Sequence, residues 1–127
     1  MRLDTIHHIA VLCSDYRAAK AFYAEKLGFQ VIRENYRADR NDWKIDLRIN
    51  GQTELELFAV PDRPQRVTDP EAYGLRHLAF RVADVEAAVK ELADRGVACE
   101  PVRVDTFTGG KMTFFKDPDG LPIEIHE

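Results

Sequence analysis

Two histidines and two glutamates carry the chemistry this chain could perform. His8 and His77 stand 69 residues apart, and Glu56 and Glu124 stand 68 apart. Asp15 and Asp84 keep the offset of 69, and Gly28 and Gly96 that of 68. Each glutamate sits between aliphatics, Leu55 and Leu57 in one case and Ile123 and Ile125 in the other. Side chains alternate along a strand, so His8 falls opposite Ile9 and Val11, and Glu56 opposite Leu55 and Leu57. Each half of the chain thus offers one imidazole and one carboxylate on the face away from its aliphatics. Brought together, the four make a His2Glu2 set. Its nitrogen and oxygen donors suit one borderline divalent ion (Ni, Zn, Co, Mn or Fe) and not soft copper(I). Four protein ligands in an octahedral sphere leave two positions for water or substrate, as Lewis-acid catalysis requires.

The elements that position these groups recur with them. Residues 5–12 read as a strand, and Ser14 or Asp15 can cap the helix that follows. Ala18, Ala19, Phe22, Tyr23 and Leu27 recur at helical spacing, and Gly28 closes the helix. A strand runs from Phe29 towards Tyr36. Trp43, Ile45, Leu47 and Ile49 then alternate with charged residues, Asn50-Gly51 signals a hairpin turn, and residues 54–58 form a fourth strand. Pro61, Pro64 and Pro70 mark 61–72 as a connector. The pattern then repeats: a strand over 75–83, a helix over 84–95, and strands over 97–104, 110–116 and 121–126. The turn Asp117-Pro118-Asp119-Gly120 joins the last two. The expected fold is α+β, one domain over 1–127. It consists of two βαβββ modules, about 4–60 and 73–127, forming a pseudo-symmetric cup. Two copies are too few for a solenoid, so a closed domain is expected.

Composition narrows the function classes. The chain has 127 residues, 45% hydrophobic and 31% charged, with a formal charge of −4. That range is ordinary for a soluble domain and argues against nucleic acid or anionic membrane as partner. No apolar run reaches the ~20 residues of a membrane span, and the N-terminus does not read as a signal peptide, so a cytoplasmic location is expected. Cys13 and Cys99 follow no metal spacing and read as plain thiols.

Other polar residues divide by parity. Lys44, Asp46 and Arg48 should face the cup, with Arg103, Lys111 and Thr113 doing the same in the second half. Lys44, Arg48 and Lys111 are therefore candidates to hold an anionic group of a substrate. His7 and Arg76 fall on the helix side. His126, two residues after Glu124, is a candidate hydrogen-bond partner for the site. Tyr36, Trp43, Phe107 and Phe115 read as packing aromatics.

Several stretches together resemble the vicinal oxygen chelate superfamily, and within it the glyoxalase I-like group. They are His7-His8-Ile9-Ala10-Val11, Phe22-Tyr23 with Leu27-Gly28-Phe29, Glu54 to Phe58, Arg76-His77-Leu78-Ala79-Phe80, and Asp117-Pro118-Asp119-Gly120 through Glu124. The resemblance covers essentially the whole chain. It implies that a substrate oxygen is chelated by the ion and that a proton moves at the adjacent carbon. In glyoxalase I this converts a hemithioacetal into a thioester. It also implies that Glu124, or its counterpart Glu56, acts as general base, and that the protein is a homodimer acting on a small molecule. Leu12 stands where bacterial glyoxalase I has an arginine that helps hold glutathione. Competing expectations are a non-haem Fe(II) dioxygenase of the same superfamily, and a non-enzymatic antibiotic-binding protein of the bleomycin-resistance kind.

Overall fold

Asp15 and Asp84 start the two helices. Each is extended and accepts a hydrogen bond from the backbone three residues on, Ala18 N at 2.7 Å and Ala87 N at 3.0 Å. Between the two capping candidates, Asp15 takes the position and Ser14 does not. The computed structural model describes all residues, Met1–Glu127. It divides into two units, Met1–Pro64 and Gln65–Glu127. The first contains β1 (His8–Cys13), α1 (Tyr16–Lys20) running into a π-helical stretch (Ala21–Lys26), β2 (Gln30–Arg37), β3 (Asp42–Arg48) and β4 (Glu54–Ala59). The second contains β5 (Leu78–Arg81), α2 (Val85–Asp94), β6 (Arg103–Val104), β7 (Lys111–Lys116) and β8 (Pro122–His126). Each unit holds one four-stranded sheet, in the orders β1-β4-β3-β2 and β5-β8-β7-β6. The first and last strands of each unit pair in parallel, and the remaining pairs are antiparallel. The α+β class and the repeated βαβββ order are as the sequence implies.

In the first unit the aliphatic face of the sheet is sealed. Ile45, Leu47, Leu55 and Leu57 are fully buried, and Phe22 and Tyr23 are buried with their rings 5.0 Å apart edge to face. The sequence spacing predicts a uniform α-helix up to Gly28, yet the second half is π-helical. Leu27 N donates to Phe22 O at 2.9 Å, five residues back. The wider turn admits two adjacent aromatics to the core side, which the 3.6-residue turn separates. Tyr16 stacks on Trp43 at 4.4 Å, and Tyr16 Oη and Lys20 Nζ both donate to Glu34.

A register shift lies between Val31 and Arg33 in β2. Val31 pairs with Leu47, but Arg33 pairs with Asp46, so Ile32 is an extra residue and Arg33 turns to the face carrying Asp46.

The second unit departs from expectation at β6. The strand expected over 97–104 shrinks to Arg103–Val104. Pro101 has no N–H for a ladder, so this stretch pairs irregularly: Glu100 N donates to Phe114 O at 2.8 Å, and Thr113 Oγ1 to Glu100 O at 2.7 Å.

Asp84→Ala removes the cap of α2 and should cost about 1 kcal/mol, measured as a shift in the urea midpoint at unchanged slope. No shift in midpoint would mean that the Ala87 N–H finds water at no cost.

Candidate metal centre

In β1 and β4 the parallel ladder decides which side chains meet. His8 pairs with Glu54 and Ala10 with Glu56, and residues paired across a ladder share a face. The His8 imidazole therefore lies diagonally from the Glu56 carboxylate, with Nε2 3.6 Å from Oε2. Its other nitrogen, Nδ1, is 2.8 Å from His7 Nδ1, so one ring donates to the other. Parity placed His7 on the helix side, but β1 begins only at His8 and alternation does not extend to the preceding residue. The His7-His8 doublet was the available signal. A partner on Nδ1 fixes the ring's orientation, as ligating histidines commonly require.

The same face carries an ionic array. Lys44 Nζ is 3.2 Å from Glu56 Oε1 and 3.2 Å from Asp46 Oδ1. Asp46 is only 2% exposed, and Arg33 Nε bonds its Oδ2 at 2.9 Å. Arg33 also reaches Glu54 at 2.9 Å, and Arg48 approaches Glu54 at 3.7 Å. Arg37 grips Asp42 with two bonds of 2.6 Å and lies over the Phe58 ring at 4.9 Å. Burial draws Lys44 down, but the neighbouring carboxylates of Asp46 and Glu56 outweigh this and hold its ammonium above the ordinary lysine range. The hydrogen bond to Asp46 likewise raises Arg33.

In the second unit His77 Nε2 is 3.0 Å from Glu124 Oε2, and Glu124 is 8% exposed. Across the ladder Glu124 faces Phe114, and the Phe114 ring meets His77 edge to face at 5.2 Å. Because Phe114 is opposite Glu124, the even-numbered residues of β7 share the glutamate's face and the odd-numbered ones lie beneath it. Arg103, opposite Met112, is therefore on the Glu124 face, over the Phe114 ring at 5.4 Å. Lys111 and Thr113 are not, which corrects the parity reading. Lys111 pairs with Glu86 of α2 at 2.9 Å, and Thr113 is fully buried. Of the three substrate candidates, Lys44 and Arg48 remain on the histidine-bearing face and Lys111 leaves it. His126 bonds Asp105 at 3.1 Å and the Glu127 carbonyl at 2.6 Å, and these contacts raise its imidazole above the usual range. Arg76 is held by Glu71 through bonds of 2.8 and 2.9 Å.

Each unit thus brings together one imidazole nitrogen and one carboxylate oxygen. The chain forms no group of three or more His, Cys, Asp or Glu side chains suited to holding an ion. The donor types of each pair, nitrogen and oxygen without thiolate, suit a borderline divalent cation. Asp46 was read from the sequence only as a facing acid; its burial beneath Lys44 makes it the anchor of the array.

Known proteins resemble the chain along its whole length. It is 56% identical over 127 residues to the uncharacterized protein YwkD of Bacillus subtilis (strain 168), covering 100% of this chain and 99% of that one. It is 52% identical to the uncharacterized protein YaeR of Escherichia coli (strain K12), over 98% and 97%. A crystal structure of a glyoxalase family protein from Enterococcus faecalis superposes with a TM-score of 0.94 at 54% identity, covering 100% of both chains. The family model described as Glyoxalase/Bleomycin resistance protein/Dioxygenase superfamily matches residues 5–125. No helix is long and apolar enough to cross a membrane.

Proposed function

Since this chain belongs to the glyoxalase/bleomycin resistance protein/dioxygenase superfamily, we propose that it is a metal-dependent lyase or isomerase of the glyoxalase I kind. Its substrate would be a hemithioacetal or a related small carbonyl compound. One observation carries the reading: a His–Glu pair recurs in both units, at 3.6 and 3.0 Å, on the face away from the buried aliphatics. His8, Glu56, His77 and Glu124 would hold one divalent ion, the modules pairing within a chain or between the two chains of a homodimer. Distant support comes from Glyoxylase I 4 of Arabidopsis thaliana, 27% identical over 98% of this chain and 71% of its own length.

When bound, the ion would act as Lewis acid on a substrate oxygen and acidify the neighbouring C–H. Glu124 takes that proton and returns it to the adjacent carbon, the work of a base within hydrogen-bond reach. His77 Nε2 and Glu124 Oε2, 3.0 Å apart, are the nitrogen and oxygen that this unit would offer the ion. Phe114 lies opposite Glu124 and meets the His77 ring edge to face, covering one side of the pair. Arg48, with 40% of its side chain exposed and its acid partner 3.7 Å away, would meet an anionic group of the substrate.

A second reading has its own support. TnmS3 from Streptomyces sp. CB03234, described as an antibiotic binding protein, is 28% identical with a TM-score of 0.74. On that reading the protein sequesters a small molecule without turnover.

Metal analysis separates the two. Purified protein incubated with nickel or zinc should carry about one ion per chain, and His8→Ala and His77→Ala should each lose it, because removing one of four ligands undoes the set. A parent protein that takes up no ion refutes the lyase.

A further inference from the structure

The two glutamates are equivalent by repeat but not by surroundings. Lys44 lies opposite Phe58 and Asp46 opposite Glu56 in the β3–β4 ladder; Met112 lies opposite His126 and Phe114 opposite Glu124 in the β7–β8 ladder. The lysine and aspartate beside one glutamate are thus replaced by methionine and phenylalanine beside the other. Glu56 has an ammonium on Oε1 at 3.2 Å and an imidazole near Oε2 at 3.6 Å. The ion pair of Glu124 is with His77 alone.

The geometry points to Lys44 as a positioning residue that pins Glu56, so that this carboxylate stays a fixed ligand. This rests on the metal reading above. The Lys44 ammonium cannot drift, because it is anchored from below. Asp46 is buried, its Oδ2 is taken by Arg33, and its Oδ1 accepts no hydrogen bond of ordinary geometry and faces Lys44 Nζ at 3.2 Å. Rotating Glu56 away would strip Lys44 of one of its two anions and leave a partly buried cation under-compensated. Glu124 has no such ammonium beside it, since Met112 and Phe114 stand where the first unit has Lys44 and Asp46. Lys44 is consequently occupied within the protein and is not free for substrate.

The test is ion affinity, read by chelator competition with zinc, in the parent, Lys44→Met, Lys44→Arg and the double variant Lys44→Met/Asp46→Asn. The double variant guards against misfolding by removing the charge that Lys44→Met would leave buried. Partners in the outer shell of a metal site typically change affinity about 10–100-fold. Lys44→Met and the double variant should weaken zinc binding by about that factor, with Lys44→Arg restoring it to within a few-fold. A purely structural lysine would lower the melting temperature of the ion-free protein and leave the zinc affinity of the folded protein unchanged. That result, in either variant, overturns the assignment. A parent that binds no zinc refutes the metal reading itself and the assignment with it, and it shows before any substitution is made.

Discussion

Glu124→Gln should lower turnover of a hemithioacetal substrate by roughly 10²–10⁴-fold, the range that a positioned general base supplies. The substitution keeps the shape of a residue that is 8% exposed and paired to His77 at 3.0 Å, so the fold should survive it. An amide oxygen can still accept a hydrogen bond from the imidazole, but it cannot take a proton from carbon at neutral pH. Metal content measured on the same samples separates lost chemistry from a lost ligand. A variant that keeps its ion and works within three-fold of the parent would place the base elsewhere. Glu56→Gln is the informative companion. With Lys44 and His8 around it, its main deficit should be in ion retention and not in the rate of the loaded protein.

Ile123→Ala should be strongly destabilising, costing about 2–5 kcal/mol. Ile123 is fully buried beside Glu124 in β8, paired with Leu78 on one side and Phe115 on the other. The second unit has fewer buried large side chains than the first, so the cavity has less around it to collapse inwards. At roughly 4 °C per kcal/mol, the melting temperature should fall by about 8–20 °C. A drop under 2 °C would mean that β8 repacks, and Glu124 would then be expected to shift with it.

Much of the fold was legible because the chain states it twice. Both helix starts, both closing glycines and the strand order follow from alternation, capping and the repeat. Parity also placed His8 with Glu56 and His77 with Glu124 inside each unit. What alternation cannot supply is register between strands. Lys111 was misplaced because its face depends on which residue of β7 stands opposite Glu124. The geometry of the turn at 117–120 sets that match, and composition does not. β6 was overextended for a related reason: an apolar run was read as ladder pairing although Pro101 interrupts it. His7 was assigned by extending alternation past the end of a strand. The anchoring role of Asp46 was illegible because burial of a charge depends on which neighbours cover it.

The extra residue at Ile32 has a further consequence, for how this chain tolerates change of length. Arg33 onwards pairs with β3 as though Ile32 were absent. A deletion that removes Ile32 therefore leaves every later pairing in place and yields an ordinary strand. Losing Ile45 from the middle of β3 instead would put Lys44 and Asp46 on opposite faces and split the residues before the gap from those after it. Within the strands of this sheet, Ile32 is thus a position where descendants of this sequence can lose a residue without exchanging inside for outside.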